Sequence, residues 1–356
     1  MPSIAIIQRF LPSRSRGGVG HFTHGLAQTL SARGHSVTVF SQDPAPTDAH
    51  YTLHRVPVAD GPLAPLAFPW ALRQCDFSGF DVIHAQGDEQ WISRRGAPPV
   101  VRTMHGTALA EAWFNGVKAG SLKRFLLHLY FYSIECIADV RADRVVGVSA
   151  GTGRFYPRMH AVVPNGIDVA RFAAASQTTT KSAVPSIVFI GELDSRKRGR
   201  WLVDLFTRAV RPRVPTAELW LVSPDAPHAG PGIVHCGTPD DAGLATLLSQ
   251  AWVMCLPSAY EGFGRPYAEA MAAGTVAAAT SNPGADDVLD RGRAGVLATD
   301  DTLADALVNV LGDSVVRDRF VARGHERAAA YAWPRVAEAY ERIYEAARQS
   351  RAGFAR

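Results

Sequence analysis

Short apolar runs alternate with longer stretches whose apolar residues recur every three or four positions along almost all of the 356-residue chain. The runs at 4–7, 37–40, 82–84, 100–104 and 145–148 predict strands, and the stretches at 21–33 and 121–142 predict helices between them. A Thr/Ser-rich stretch at 176–182 has the composition of a linker, after which the rhythm restarts. Strands are then expected at 187–190, 219–222, 233–236, 253–256 and 276–279, with helices at 200–209, 240–249, 265–272 and 302–311. The apolar spacing of 336–348 predicts an amphipathic helix at the tail. Strands alternating with helices build parallel sheets, so the pattern predicts an α/β chain of two Rossmann-like, doubly wound domains joined near residue 170. No repeat recurs at a period of about 20–50 residues, which argues against a solenoid.

Hydrophobic residues make up 47% of the chain, enough for each half to bury a core and to exclude global disorder. Thirty-seven Lys and Arg against 33 Asp and Glu leave a net charge of +4, which suits a nucleotide or phosphate ligand. The basic residues are spread out with no long tract, so no nucleic-acid partner is expected. Residues 1–7 lack the basic start and cleavage site of a signal peptide, and no apolar stretch reaches the ~20 residues of a membrane span. The expectation is a soluble, cytoplasmic protein. Cys75, Cys136, Cys236 and Cys255 are far apart and show no zinc spacing, so they are expected as reduced thiols. The 12 histidines form no metal-binding motif either, and no metal is expected.

The most informative stretch is 257–274, where a buried strand ends at Pro257 and a helix starts near Arg265 with Pro266 in its first turn. Backbone N–H groups of Gly262, Phe263 and Gly264, together with the helix N-terminus, suit an anionic, oxygen-rich ligand. Glu261 in the loop and Glu269 in the helix are acceptors only when ionised, so their natural partners are sugar or ribose hydroxyls. Either Glu taken alone also fits a solvated surface charge. A basic cluster, Arg196, Lys197 and Arg198, follows the strand at 187–190, where doubly wound sheets bind ligands. Lys197 supplies a point charge and Arg196 a fork for two phosphate oxygens. Gly17, Gly18 and Gly20 precede the first helix. They approximate a dinucleotide fingerprint with Asp43 at the ribose distance, but Thr23 replaces its third glycine and the loop from Gln8 to Arg16 separates it from the strand. His105 ends the strand at 100–104, a place where a capping or surface histidine is also common. Between 118 and 132, Lys118, Lys123 and Arg124 accompany six apolar residues that nearly encircle the helix from 125 to 131. That distribution predicts a buried core helix, and the alternative is a helix lying on an anionic membrane surface.

The run E-G-F-G-x-P-x-x-E-A-M-A-x-G from Glu261 to Gly274 resembles the E-x7-E motif of the family 4 retaining glycosyltransferases, and the resemblance spans nearly the whole chain. It implies the GT-B fold: a donor-binding domain at 169–332 and an acceptor-side domain at 1–168 across a central cleft, with the helix in 333–350 crossing back to the latter. It implies transfer of a hexose-type sugar from a UDP- or GDP-sugar to a sugar, lipid-linked or small-molecule acceptor. Retention would come from same-face attack without an enzyme nucleophile, and no cofactor is needed beyond the donor. Such a step fits cell-envelope glycan, glycolipid or specialised-metabolite biosynthesis, with peripheral contact at the inner face of a membrane. By position, Glu261 would bind donor-sugar hydroxyls and Glu269 the ribose. The amides of Gly262, Phe263 and Gly264 would hold sugar and diphosphate, and Lys197 would neutralise the diphosphate. Gly18, Cys236 and Gly237 fall on the donor side, His105 beside the anomeric carbon, and His84, Gln86 and Asp88 on the acceptor side. The family's Arg in the basic loop is replaced here by Glu192, so Arg196 or Arg198 is expected to serve instead, with Glu192 turned away toward Arg198 or Arg200. A GT-B nucleotide-sugar epimerase, an NAD-dependent oxidoreductase and a non-catalytic nucleotide-sugar binding protein stay open as alternatives.

Overall fold

The computed structural model describes residues 1–12, 18–59, 61, 64–117, 120–156, 158–225 and 230–354; Gly17 and Lys118 lie outside this set. The chain forms two compact units, one of Met1–Gly166 with the chain from Trp333 onward, the other of Ile167–Ala332. The first unit runs β1 (Ser3–Ile7), α1 (Gly18–Ala32), β2 (Ser36–Ser41), β3 (Thr52–Arg55), α2 (Ala64–Ala71), β4 (Val82–Ala85), β5 (Val100–Met104), α3 (Ala108–Glu111), α4 (Leu122–Arg141), β6 (Arg144–Gly147) and β7 (Ala161–Val162). Its strands make one parallel sheet in the order β3-β2-β1-β4-β5-β6-β7, with Ile4 paired to Val37 on one side and Val82 on the other. Alternate residues of β1 point to opposite faces. Ile4 and Ile6 pack with Phe22, Leu26 and Leu30 of α1, whereas Ala5 and Ile7 pack with Phe68, Leu72 and Phe77. Both faces are covered, which is why the inner strands read as continuous apolar runs.

The second unit continues α5 (Val169–Thr178), β8 (Ser186–Ile190), α6 (Gly199–Leu205), β9 (Glu218–Val222), β10 (Ile233–Gly237), α7 (Asp241–Gln250) and β11 (Val253–Leu256). It ends with α8 (Arg265–Ala272), β12 (Val276–Thr280), α9 (Pro283–Val288), β13 (Val296–Ala298), α10 (Leu303–Gly312) and α11 (Ser314–Ala329). Its parallel sheet has the order β10-β9-β8-β11-β12-β13. The strand order reverses between β8 and β11, as it does between β1 and β4 in the first unit, and ligands bind at such switch points. The tail helix α12 (Trp333–Phe354) belongs to the first unit, where Val336, Tyr340, Tyr344 and Ala347 enter the core beside α1. Glu341 on α12 accepts from Arg33 at 2.7 Å and lies 2.8 Å from the His35 ring, and the Arg33 bond holds its carboxyl down to about 2.

Several expectations need correction. The stretch at 176–182 begins inside α5, so it is not a free linker. Edge strands β3, β7 and β13 carry four, two and three residues, too few for a visible apolar run, and β3 is largely exposed. Helix α4 is not a core helix: of its residues only Ala138 and Asp139 are fully buried, while Leu122 is 71% and Leu126 55% exposed. None of the four cysteines forms a disulfide. Among the described residues no helix is long and apolar enough to cross a membrane.

Trp333 opens α12 against two glycines, Gly25 of α1 and Gly166, and a Cβ at either would overlap its indole. Gly25→Ala should therefore destabilise the first unit by about 1–3 kcal/mol despite the better helix propensity of Ala. Chemical denaturation checks this, and a neutral or stabilising Gly25→Ala would show that the contact between α1 and α12 is loose.

Candidate functional site

The site in the second unit is built from the loops that follow β8 and β11, the two strands flanking the switch point. The first loop, 191–198, starts at Gly191, whose φ of +144° suits glycine and where a Cβ would overlap the Lys197 side chain. Lys197 folds back over it and donates from Nζ to the Ile190 carbonyl at 3.0 Å. Loss of water holds this ammonium below the ordinary lysine value, while Glu261, Glu269 and Glu192 oppose the shift and Arg196 adds to it. The second loop, 257–264, ends at Gly264, whose φ of +88° precedes the first turn of α8.

The two loops are joined directly. The Ala259 N–H donates to the Arg196 carbonyl at 2.8 Å, and Arg198 Nε donates to the Pro257 carbonyl at 2.6 Å. Arg196 Nη1 donates to Glu261 Oε1 at 2.9 Å, and the Ser258 hydroxyl donates to the same oxygen at 2.9 Å. Glu261 is 6% exposed and Glu269 7%, so neither is a solvated surface charge. Glu269 accepts from Arg265 Nη2, one helical turn before it, at 2.9 Å. The N–H groups of Gly262, Phe263 and Gly264 donate no hydrogen bond within the described residues. Three adjacent unpaired donors at a helix N-terminus form a concavity suited to an anion. Phe263 anchors the loop by an edge contact with Tyr331, and Gly284 lies under it, where a Cβ would meet the carbonyls of Glu261 and Phe263 at 2.7 and 2.6 Å.

Two expectations for the basic loop fail here. Glu192 is exposed, but its expected partners are engaged elsewhere, Arg200 with Asp194 and Arg198 with Asp300 through two bonds of 2.7 Å. Arg198 also stacks on Trp201 at 4.3 Å, so it braces the loop rather than serving as a substitute cation. Cys236 and Gly237 end the edge strand β10, roughly 10 Å across the sheet from β8, and no described bond joins them to the Glu261 cluster.

In the first unit, His105, Gln86 and His84 form one hydrogen-bonded chain. His105 Nε2 lies 2.6 Å from Gln86 Oε1, and Gln86 Nε2 lies 3.0 Å from His84 Nε2. His84 Nε2 also meets the Thr103 hydroxyl at 2.8 Å, and its Nδ1 meets the Tyr344 hydroxyl of α12 at 2.7 Å. His84 is fully buried, so it lies beneath the surface and does not face an acceptor as expected. Burial pushes His84 down to about 3, and burial followed by the nearby Arg102 does the same to His105. Both imidazoles are therefore neutral near pH 7. His105 packs edge-on against Phe22 at 4.8 Å. Asp88 sits at a φ of +71°, with its carboxyl raised to about 6 by burial and by Glu89. Gly18 opens α1 in open space, whereas Gly20 is the glycine that packing requires, since a Cβ there would meet the Phe10 carbonyl at 2.8 Å. Sequence reasoning missed the buried Arg102–Glu89 ion pair and the reach of Tyr340 and Tyr344 into this network. The four-residue spacing of those tyrosines on the tail helix was the one available signal.

A sequence profile described as Glycosyltransferase Family 4 matches residues 16–171, and one described as Glycosyl transferases group 1 matches residues 184–313. A phosphatidyl-myo-inositol mannosyltransferase of Mycobacterium tuberculosis is 29% identical over 92% of this chain and 93% of its own length. Sucrose-phosphate synthase from Thermosynechococcus elongatus superposes with a TM-score of 0.77 over 97% of this chain and 98% of its own, at 22% identity. Anabaena HepE, solved with UDP and glucose, gives 0.72 over 97% of this chain and all of its own, at 16% identity. With two parallel-sheet units and these likenesses, the protein is a glycosyltransferase of the GT-B fold. Within that class the chain belongs to family 4.

The histidine network makes a pH prediction. An unfolded His titrates near 6.5, whereas folded His84 stays neutral down to about 3, so acid favours the unfolded chain. Stability present above about pH 6.5 should fall by ~1.4 kcal/mol per pH unit on acidification below it, from this group alone. Urea midpoints at several pH values should show a shallower acid slope for His84→Gln than for wild type. Parallel slopes would mean that His84 is protonated in place.

Proposed function

We propose that the protein transfers a hexose-type sugar from a UDP- or GDP-sugar to an acceptor hydroxyl with retention of configuration. The observation that carries this reading is the pairing of Glu261 and Glu269, both buried, around three unpaired backbone donors and beside Lys197. Carboxylates that only accept suit sugar and ribose hydroxyls, and N–H groups with an ammonium suit the diphosphate between them. In the proposed step the anomeric C–O bond to the diphosphate breaks and its electron pair leaves with the phosphate oxygen. The acceptor oxygen bonds to the anomeric carbon on the same face, and the leaving phosphate oxygen takes the acceptor proton. Negative charge grows on the phosphate, so Lys197 and the loop amides stabilise the transition state more than the ground state. Arg196, which holds Glu261 in place, adds its positive charge beside them. His105 is assigned to the donor sugar by the family resemblance, as are Cys236, Gly237 and Gly18 to the donor side and Gln86 and Asp88 to the acceptor. The acceptor is a sugar, a lipid-linked or a small molecule.

Steady-state kinetics with a hydrolysable UDP- or GDP-sugar tests the assignments. Glu261→Ala should mainly lower kcat and Glu269→Ala mainly raise the donor KM, each by roughly 10- to 150-fold. Lys197→Ala and Arg196→Ala should each slow turnover by roughly 10²-fold, whereas Glu192→Gln should change little. Because Arg196 and Glu261 touch, their double variant should lose less than the product of the single losses. Wild-type kinetics in both glutamate variants would remove the reading.

Fixed cations at the diphosphate also predict a metal-independent reaction. Enzyme treated with EDTA should keep most of its activity. Complete loss, restored by Mg²⁺ or Mn²⁺, would assign the leaving-group charge to a metal ion instead of Lys197.

A further inference from the structure

Every ring nitrogen in the chain of His105, Gln86 and His84 carries either a proton or a lone pair, and its partners decide which. Both rings are neutral near pH 7, so each holds one proton. The Gln86 carbonyl oxygen only accepts, so the proton of His105 sits on Nε2, 2.6 Å away. The Gln86 amide nitrogen only donates, so His84 Nε2 is a lone pair and the proton of that ring sits on Nδ1. Nδ1 meets the Tyr344 hydroxyl at 2.7 Å, and the phenol oxygen accepts. The consequence lies at the other end of the chain. His105 Nδ1 is left as a buried lone pair without a partner, and so is Asn165 Oδ1, whose side chain faces the same ring. Two acceptors cannot satisfy each other, and they call for a hydroxyl that donates.

We propose that Tyr344 is a positioning residue for sugar transfer. By accepting from His84 it holds the proton of His105 on Nε2 and keeps Nδ1 as an acceptor for a hydroxyl of the donor sugar. The inference rests on the reading above that His105 meets the donor. The link runs from the tail helix α12 through two rings and one amide, all of them in the first unit. Without the Tyr344 hydroxyl, a proton on His84 Nδ1 would be a buried donor lacking an acceptor, a state rarer than a buried lone pair. The proton then moves to Nε2, which Gln86 must face with its oxygen. That turn of the amide presents its nitrogen to His105 Nε2, and the His105 proton moves to Nδ1. From there it donates to Asn165 Oδ1, and the acceptor for the sugar is gone. Each ring keeps one proton throughout, so the charge of the site does not change.

Nitrogen NMR of the whole chain with isotope-labelled histidine reads the protonated nitrogen of each ring, and His84→Gln and His105→Gln assign the two signals. Wild type should carry the protons on His105 Nε2 and His84 Nδ1, and Tyr344→Phe should reverse both. Tyr340→Phe is the companion variant, since it removes a hydroxyl of similar burial from the same helix, 2.9 Å from Thr103. Thr103 lies 2.8 Å from His84 Nε2, so it then donates to that nitrogen and the protons stay where they are. A loss of packing alone would treat the two tyrosines alike. Tyr344→Phe should also lower kcat/KM for the donor by roughly three- to tenfold, the worth of one neutral hydrogen bond. The protons are read without substrate, so that result is independent of the reaction. Unmoved protons in Tyr344→Phe, or the reversed pattern in wild type, would overturn the proposal whatever the kinetics. Reversed protons with unchanged kcat/KM would instead remove His105 from the donor sugar, and with it the role of Tyr344 in transfer.

Discussion

Glu261 is a carboxylate at 6% exposure, and a buried charge without partners would cost several kcal/mol. Arg196 and Ser258 supply those partners, and in doing so they tie the loop after β8 to the loop after β11. The sheet brings the two loops together because β8 and β11 are neighbours, although Arg196 and Glu261 stand 65 residues apart in sequence. Arg198 completes the connection from a left-handed φ of +56°, a strained conformation for a residue with a side chain. Its two bonds to Asp300 and its bond to Pro257 hold it there. The replacement of the family's Arg by Glu192 is compatible with this arrangement because Glu192 is exposed and no loop-joining bond depends on it.

The histidine chain in the first unit obeys the same rule by different means. His84 avoids the cost of a buried charge by staying neutral, and Gln86, Thr103 and Tyr344 meet its ring nitrogens. Gln86 touches both His84 and His105, so the way its amide points fixes which nitrogen of each ring carries the proton. Tyr344 brings the tail helix into that choice.

The inner strands were legible because they are buried on both faces and so form unbroken apolar runs; β5 and α8 run over the very residues expected. Three of the four edge strands were not, since strands such as β3, whose Thr52, His54 and Arg55 are exposed, carry no such run. The glutamate loop was legible because glycines, a first-turn proline and two carboxylates each restrict the chain in a different way. Partnership was not legible. That Arg198 would pair with Asp300, 102 positions away, depends on where β13 ends, and nothing local in either segment announces it. Helix α4 misled for a related reason: apolar residues all around a helix signal burial only when something covers every side.

The tail helix has a consequence for how the chain is made. Val336, Tyr340, Tyr344 and Ala347 are part of the same core as β1 and α1, yet they are synthesised after the whole of the second unit. During synthesis from the N-terminus, the second unit has all its strands and helices once Ala332 is out, whereas the first still lacks one side of its core. The order of completion is thus the reverse of the order of synthesis. The nascent first unit must wait with Phe22, Leu26 and Leu30 uncovered by α12, which makes it the part of the newborn chain most in need of protection from aggregation.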